Sequence, residues 1–500
     1  MFRTIKYEVD KSHPLYDYFY QTCGFSKCLY NVTNYYIRNT MTGVQKEKSK
    51  LTTNEQEVLD IITQVLPVYD KTKQKTLKKK IDKIKKDDKL SPIEKQDKID
   101  ILNKKYKAPT LPTADKWFLN YNMLDAVFKY TNNVDYLNLP SQVNQQTMKD
   151  CYEAWTGYFE SLKDYQQHPN KYLGKPKLPK YKKNALTVVT FTNIVCKLKQ
   201  KDNHVYLRFP KTKDMFDLGD SVSITNNLAE VKVQPYYDRL LLLVTIKTPD
   251  VKVLEKESTR ICAIDLGIKN FAAITNNIGL PNLLFKGKVL CYENYQYEKK
   301  MSKLKSQQTK GTTTGFQQTD ASNAICRHRN NLIDNYMHKV AKRIIEWCVV
   351  NNIDTIVIGS NKHWKQEMDM GKYNNQQFAD IPFNKFKKIM AYLCEWNHIN
   401  VLLIEESYTS KASFLDKDDM PVYDENCSKK HTFSGKRGTG KNYKFYISKD
   451  GIKINADLNG SANILRKAIP TAFANGIKPD FSNTLIYKHP DFFVSIRCGV

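Results

Sequence analysis

The pattern of apolar and polar residues predicts a strand, then helices, at the start of the chain. Phe2 to Val9 alternates apolar and polar residues and predicts the strand. Apolar residues recur every three or four positions from Tyr16 to about Arg38 and from Gln142 to Tyr165, which predicts two helices. Between them, the basic tract Lys71 to Lys107 predicts a helical hairpin that turns at the sequence LSPIE. Such an arm is as consistent with a solvated surface as with contact to a nucleic-acid backbone.

A basic, proline-containing linker, Gln167 to Asn184, separates these helices from a series of short alternating segments. The segments predict strands at Leu186 to Phe191, Val205 to Phe209, Val222 to Thr225, Ala229 to Gln234 and Arg239 to Thr248. Their spacing is typical of a small antiparallel barrel, to which Phe2 to Val9 would add a strand. We therefore expect a β-barrel interrupted by a helical insertion.

The pattern changes again after Ser258. Ile261 to Asn270, ICAIDLGIKN, predicts a buried strand that ends at Asp265, and the following FAAITNN predicts its hairpin partner. Further segments predict a strand, a helix, a strand, a helix and a strand at Gly287 to Tyr292, Asn323 to Asn351, Asp354 to Gly359, Asn384 to Asn397 and Val401 to Ile404. This order predicts a mixed α/β sheet with crossover helices.

Acidic residues follow the ends of these predicted strands. Asp265 ends the first strand, Glu405 and Glu406 follow the last, and Asp457 begins the helical run in INADLNGSANIL. Taken alone, Asp457 is better explained as an N-terminal helix cap. Sites in such sheets lie beyond the carboxyl ends of the strands, however, and converging carboxylates repel one another unless a hard cation lies among them. Two Mg²⁺ or Mn²⁺ ions acting on a phosphodiester are the chemistry that this set predicts.

The charge of the chain narrows the range of partners. Its 500 residues have a formal net charge of +27, with basic residues spread over the whole length. This favours nucleic acid over a membrane, which would need basic residues gathered beside an apolar anchor. None of the eleven cysteines forms a C-x-x-C pair, and no signal peptide or membrane-length apolar run is present. We expect an intracellular protein, in the cytoplasm or nucleoid of a prokaryote or the nucleus of a eukaryote.

Four motifs span Ile261 to Arg466: ICAIDLGIKNFAAIT, RHRNNLIDNYMHKVAKRI before DTIVIG, IEESYTSKASFLD and NADLNGSANI. Together they resemble the split RuvC nuclease domain of the transposon-encoded TnpB proteins, and Fanzor proteins and type V CRISPR effectors are similar. The resemblance implies a RuvC-like (RNase H) nuclease domain and an N-terminal wedge-type β-barrel interrupted by a helical recognition lobe. It also implies cleavage of double-stranded target DNA, read by a guide RNA and by a short adjacent motif. We expect a monomer, and the sequence leaves a dimer open.

The resemblance gives expected domain boundaries. Residues 1–10 would be the first barrel strand, 11–167 the helical lobe with its hairpin at 71–107, and 168–257 the barrel. Residues 258–470 would form the nuclease domain, with a finger-like insertion at 407–453, and residues 471–500 would be a C-terminal tail.

The sequence departs from the family pattern at two places. Where the family has its second catalytic Glu, this chain has Gly359, followed by Ser360. Ser413 and Asp416 stand where the first zinc-ligating cysteines are expected, and only Cys427 follows, so we expect no zinc.

The missing Glu leaves two interpretations. The nuclease is inactive, or Glu405 or Glu406 acts from the neighbouring strand, since adjacent strands lie only about 4.8 Å apart. Because successive side chains alternate between faces, one of the pair should point inward, and we choose Glu406. The predicted catalytic and metal-binding set is therefore Asp265, Glu406 and Asp457.

Basic loop residues provide candidate DNA contacts. These are His363, Trp364 and Lys365 after the DTIVIG strand, and Lys436, Arg437 and Lys441 in SGKRGTGK. An ordinary polar loop explains both groups about as well. Two other functions stay open for the whole protein: RNA-guided DNA binding without cleavage, and a RuvC-like structure-selective nuclease that uses no guide RNA.

Overall fold

A computed structural model of the protein describes residues 2–88, 90–202, 204–249, 259–311, 313–360, 380–421 and 431–495. The chain divides into two compact units, Met1–Thr248 and Pro249–Val500. Over the described ranges, every helix is too short or too polar to cross a membrane.

The strands of the first unit form two antiparallel sheets. Their bounds are β1 (Phe2–Val9), β2 (Val189–Thr192), β3 (Lys197–Lys201), β4 (His204–Arg208), β5 (Met215–Asp217), β6 (Asn227–Tyr236) and β7 (Arg239–Lys247). One sheet has the order β1-β7-β6-β2 and the other β3-β4-β5. β1 pairs with β7 over its whole length, from Phe2 opposite Lys247 to Val9 opposite Leu240, which confirms that the first strand joins strands from much later in the chain. Closure of the two sheets into a barrel stays a prediction.

The strand predicted at Val222 to Thr225 is wrong. The backbone N–H of Ser223 donates to the Asn226 side chain at 2.8 Å, and the Ser223 and Thr225 hydroxyls lie 2.9 Å apart. These local hydrogen bonds to short polar side chains compete with a strand ladder and hold the segment in a turn. β3 and β5, which pair with β4 on either side, were not predicted.

The helices between β1 and β2 are α1 (Tyr16–Gly43), α2 (Thr53–Lys85), α3 (Pro92–Lys105), α4 (Tyr121–Tyr130), α5 (Val134–Asn138) and α6 (Ser141–Gln167). The predicted basic hairpin is formed by α2 and α3. Its second helix begins with a capping box, in which the Ser91 and Glu94 side chains bond to each other's backbone N–H. Buried aromatic rings pack between the helices and the strands. Phe19 of α1 lies edge-to-face on Phe209, the residue after β4, with ring centroids 4.9 Å apart.

The second unit contains a seven-stranded mixed sheet of order β12-β11-β8-β9-β10-β16-β17. Its strands are β8 (Ile261–Leu266), β9 (Asn270–Asn276), β10 (Asn282–Lys286), β11 (Thr355–Gly359), β12 (Asn400–Ile404), β16 (Thr484–His489) and β17 (Phe492–Ser495). β8, β11 and β12 run parallel, whereas β9 is antiparallel to both β8 and β10. The mixed α/β sheet predicted from the sequence is thus present.

Helices cover both faces of β8. They are α7 (Lys288–Thr309), α8 (Asp320–Val350), α9 (Phe383–Trp396) and α10 (Ala456–Ala468). Cys262 and Ile264 pack in one apolar cluster with residues of α8 and α9. Ile261 and Ala263 face the other way and pack in a cluster with residues of α10. The short strands β13 (Lys436–Arg437), β14 (Phe445–Ile447) and β15 (Lys453–Asn455) form a separate antiparallel sheet that precedes α10.

One expectation about the second unit is wrong, and another segment has more structure than its name suggests. Gly287 to Tyr292 is the start of α7 instead of the third strand, which is β10, just before it. The sequence LLFKGKVL is apolar on both sides of Gly287, so its pattern cannot separate the end of a strand from the start of a helix. The expected tail at 471–500 includes β16 and β17, and β16 pairs in parallel with β10. This pairing between distant segments leaves no local signal.

Candidate active site

Asp265 lies at the end of β8, on the face of the sheet that α10 covers. The two elements are closely packed, because the Ser461 hydroxyl donates to the Ala263 carbonyl at 2.8 Å. A Cβ added to Gly460 would lie 2.5 Å from Oδ2 of Asp265, so only glycine allows the carboxylate to approach the helix here. Burial raises the pKa of Asp265 well above its usual range, and the charges of Asp457 and, less strongly, Glu406 add to this, while Arg437 opposes it.

Asp457 lies in the first turn of α10, but it does not cap the helix. The cap is Asn455, whose side-chain oxygen accepts hydrogen bonds from the backbone N–H groups of Asp457 and Leu458 at 3.0 and 3.2 Å. The alternative explanation of Asp457 as a helix cap is therefore wrong.

The Asp457 carboxylate is instead held by polar side chains from other segments. Asn270 donates to Oδ2 at 2.6 Å, and Arg437 donates to Oδ1 at 3.4 Å. Lys286 in turn donates to the Asn270 side-chain oxygen at 2.7 Å. Because Lys286 donates to the Asn270 side-chain oxygen, the Asn270 side-chain nitrogen is the atom that points toward Asp457.

The two glutamates that follow β12 have different surroundings. Glu405 accepts hydrogen bonds from the Lys467 ammonium and the Ser407 backbone N–H, both at 2.7 Å. Burial alone would raise the pKa of Glu405, but these contacts lower it. Glu406 is only 9% exposed, and burial raises its pKa to about 7 despite the opposing charges of Lys387 and Lys467. The charge of Glu406 in turn helps to raise the pKa of Asp265.

The carboxylate of Glu406 lies against Gly359 of the neighbouring strand. A Cβ added to Gly359 would be 2.0 Å from Oε2 of Glu406 and 2.9 Å from Cδ1 of Ile464. Register places Gly359 opposite Ile404, and the next residue, Ser360, donates its backbone N–H to the Ile404 carbonyl at 2.8 Å. The glutamate therefore fills the volume that a side chain at position 359 would otherwise use.

The donor chemistry of these side chains fits a hard cation. Asp265, Glu406 and Asp457 present carboxylate oxygens, which are the ligands that Mg²⁺ and Mn²⁺ prefer, and burial of uncompensated acids is costly without a cation. Within the described ranges, no three His, Cys, Asp or Glu side chains already form a set that could hold a metal ion. The residues thus fit the metal by type, whereas Asn270 and Arg437 hold the Asp457 carboxylate without it.

Sequence reasoning missed Asn270 and Lys387. Asn270 ends the ICAIDLGIKN motif, where a polar residue at the start of an apolar strand is a usable signal. Lys387 is 7% exposed and donates to the Ser360 hydroxyl at 2.9 Å. It lies on the face of α9 that carries Phe383 and Met390, so a lysine on an apolar helical stripe could have revealed it.

The remaining predicted site residues are less informative. His363, Trp364, Lys365 and Cys427 lie outside the described residues. Lys436 and Lys441 are exposed, and their contact with DNA stays a prediction.

The fold and these side chains define an α/β protein with a carboxylate site at the edge of its sheet. The family model OrfB_IS605, described as a probable transposase, matches residues 243–365, and the Cas12f1-like TNB domain model matches residues 383–464. The chain is related to the family of TnpB proteins and type V effectors.

Solved structures show only distant similarity. A Cas12f1–sgRNA–target DNA complex has 12% identity, with 93% of this chain and 98% of that chain covered and a TM-score of 0.30. Alicyclobacillus acidoterrestris C2c1 with single-guide RNA has 9% identity, with 88% and 69% covered and a TM-score of 0.31. A search of curated proteins found no match.

Proposed function

We propose that this protein is an RNA-guided, Mg²⁺-dependent DNA endonuclease that uses Asp265, Glu406 and Asp457. The observation that carries the proposal is that the charges of Asp457 and Glu406 both act on the buried Asp265, although the three residues come from separate segments of the chain. Buried acids with raised pKa values, here Asp265 and Glu406, are typical of a functional site when they lie at the edge of a sheet.

The strand order supports a RuvC-like (RNase H) fold for the nuclease domain. β10, β9, β8, β11 and β12 lie side by side, and β9 alone among them runs in the opposite direction to the other four. Together with the TnpB-like motifs and the two family matches, this order favours hydrolysis of a nucleic-acid backbone. The net charge of +27 suits a protein that holds a guide RNA and a double-stranded DNA target together.

Each side chain has a role in this proposal. Asp265, Glu406 and Asp457 would hold two Mg²⁺ or Mn²⁺ ions, which supply activation of water and stabilisation of the leaving oxygen when bound. Asn270 orients Asp457, and Gly460 keeps α10 close enough for Asp265 and Asp457 to share the site. Arg437, beside Asp457, is placed to neutralise a phosphate that enters the site.

RNA-guided DNA binding without cleavage is the second candidate. It is favoured by Gly359, because the family's usual second acid is missing from β11. Glu406 would then be a buried acid balanced by Lys387, with no ligand to bind.

Cleavage by the protein purified with its own copurified RNA tests the proposal. We expect cutting of a DNA that matches this RNA to require Mg²⁺ or Mn²⁺ and to fall at least about 10²-fold in Asp265→Ala and Asp457→Ala, since each substitution removes a ligand. Glu406→Gln should behave in the same way, whereas Glu405→Gln should retain most of the activity.

The outcomes separate the alternatives. RNA-dependent DNA binding with no cutting under any metal would favour the second candidate. Cutting of branched DNA without copurified RNA would favour a structure-selective nuclease. Moving the acid back to β11, by combining Gly359→Glu with Glu406→Gly, should restore part of the activity that Glu406→Gly alone removes. If it does not, Glu406 is not the relocated acid.

A further inference from the structure

A carboxylate outside the acid cluster joins two stretches of the finger-like insertion. Oδ2 of Asp418 accepts hydrogen bonds from the backbone N–H groups of Ser413 and Ser434 at 2.8 and 3.0 Å. Oδ1 accepts from the Ser434 hydroxyl at 2.6 Å. Burial would raise the pKa of Asp418, but these hydrogen bonds lower it, so the carboxylate is ionised at neutral pH. Both of its oxygens are therefore engaged in charge-assisted bonds.

A second carboxylate fastens the same segment from the other side. Oδ2 of Asp416 accepts from the Lys449 backbone N–H at 3.0 Å, and the Asp416 N–H donates to the Ser413 hydroxyl at 3.2 Å. Tyr446, 1% exposed, donates its hydroxyl to the Lys411 carbonyl at 2.6 Å. The polar groups of this segment thus bind one another directly.

These contacts lead to Asp457 by two routes, one through α10 and one through β13. Arg466, on the helix that carries Asp457, donates to the Asp418 carbonyl at 2.6 Å. Ser434 precedes β13, in which Arg437 lies 3.4 Å from Asp457. The chain therefore forms a closed circuit that runs from Asp457 through Arg437 and Ser434 to Asp418 and back through Arg466 to α10.

From this circuit we infer that Asp418 is a positioning residue, whose carboxylate holds β13 in place without a metal ion and so keeps Arg437 beside Asp457. Besides Asp457, Arg437 contacts the Tyr443 carbonyl, to which its Nε donates at 3.4 Å, and among the described residues its two-residue strand pairs only with β14. An ionised carboxylate that accepts hydrogen bonds from two backbone N–H groups can link two loops, as a bound cation would, and it needs no ion from solution. The consequence for cleavage rests on the proposed function, whereas the fastening itself does not.

Hydrogen exchange on the full chain bound to its RNA tests the fastening. We expect Asp418→Ala to speed the exchange of peptides covering 431–437 roughly 10-fold or more, because the carboxylate that accepts three hydrogen bonds is removed. The matched control is Asp419→Ala, which removes the neighbouring exposed acid and should leave this exchange unchanged. Ser434→Ala removes only one bond and should have a smaller effect, and it serves where Asp418→Ala fails to fold. Unchanged exchange in Asp418→Ala and Ser434→Ala overturns the inference.

A chelator distinguishes the carboxylate from a metal ion. Treatment of the wild type with a zinc chelator should leave exchange at 431–437 unchanged. If it loosens the segment as much as Asp418→Ala does, a metal ion holds β13 and the inference is wrong.

Cleavage assays then test whether Asp418 acts through Arg437. Asp418→Ala should lower cleavage, and Asp418→Ala combined with Arg437→Ala should be no worse than Arg437→Ala alone. Additive losses would mean that Asp418 does not act through Arg437. If the wild type cuts no DNA, the proposed function is wrong, and the exchange experiment alone then tests whether Asp418 holds β13 in place.

Discussion

At the scale of single residues, Gly359 and Glu406 share one volume. The carboxylate of Glu406 reaches the position that a β-carbon at residue 359 would occupy. Glu406, which follows β12, can lie here because residue 359 of β11 has no side chain. Substitutions at residues 359 and 406 should therefore not change stability and activity independently, because the effects of changing two residues in contact are not additive.

We predict that Gly359→Ala displaces Glu406. The added methyl group would lie 2.0 Å from Oε2 of Glu406, so the carboxylate must move or the sheet must shift. Overpacking of this kind costs about 1–3 kcal/mol, and cleavage should fall with it. The control is Gly157→Ala on α6, where an added Cβ meets nothing within 4 Å and a helix gains up to about 1 kcal/mol. Denaturant unfolding and cleavage rates measure both. Equal stability of the two variants would contradict the packing argument.

The raised pKa of Glu406 predicts a pH dependence of stability. Between its ordinary value of 4.5 and its folded value of about 7, the folded protein holds a proton that the unfolded chain has released. The metal-free protein should therefore lose up to about 3 kcal/mol as pH rises through this range.

Unfolding in denaturant at pH 5 and at pH 7.5, with Mg²⁺ absent, measures this loss. Glu406→Gln, which stays neutral, should remove that part of the slope, and Mg²⁺ should restore stability at the higher pH in the wild type. A slope that is the same in Glu406→Gln would show that other groups cause it.

At the scale of elements, buried polar side chains add hydrogen bonds to the apolar packing that holds α10 to its neighbours. Asn459, Ser461 and Asn463 are all 0% exposed. The Ser461 hydroxyl donates to the Ala263 carbonyl of β8, while Asn459 and Asn463 donate to the Ala412 carbonyl at 2.8 and 2.7 Å. Hydrogen bonds need defined directions, so they fix the rotation of the helix more closely than apolar packing would.

We predict that Ser461→Ala destabilises the second unit by about 1–3 kcal/mol. The Thr275 N–H, 3.1 Å from the Ser461 hydroxyl, would be left buried without this acceptor. Ser302→Ala on the exposed face of α7 should change stability by less than about 0.5 kcal/mol. Equal losses of free energy of unfolding in the two variants would refute the importance of this buried bond.

At the scale of the whole molecule, charge governs binding. A protein with a net charge of +27 should lose affinity for nucleic acid steeply as salt rises, by roughly 10³- to 10⁵-fold between 50 and 200 mM if it neutralises 6 to 10 phosphates. We predict that the hairpin of α2 and α3 binds some of these phosphates. Replacing the exposed Lys78, Lys79 and Lys80 by Gln should reduce the slope of log K against log salt by about 1 for each phosphate that is no longer neutralised.

The matched control replaces Lys299, Lys300 and Lys303, three exposed lysines of α7, by Gln. The same net charge is removed from a different helix. If the hairpin variant leaves the salt slope unchanged, the hairpin is a solvated arm. Equal reductions in both variants would trace the effect to net charge and not to the hairpin.

Most of the second unit could be predicted from local sequence, because its strands and helices have strong periods. The long helix, the strands at DTIVIG and Val401 to Ile404, and the hairpin of β8 and β9 all form within a few residues of their predicted bounds. The choice of Asp265, Glu406 and Asp457 as metal ligands stays a prediction.

What the sequence determined by itself is therefore the period of each segment and the chemical type of its polar residues. Only the tertiary structure decided which strands pair, that β16 and β17 extend the sheet, and that Glu405 bonds Lys467 while Glu406 lies against Gly359. The physical reason is range: a helical or alternating pattern is written in consecutive residues, whereas register and side-chain partners depend on atoms brought together from segments far apart in the chain.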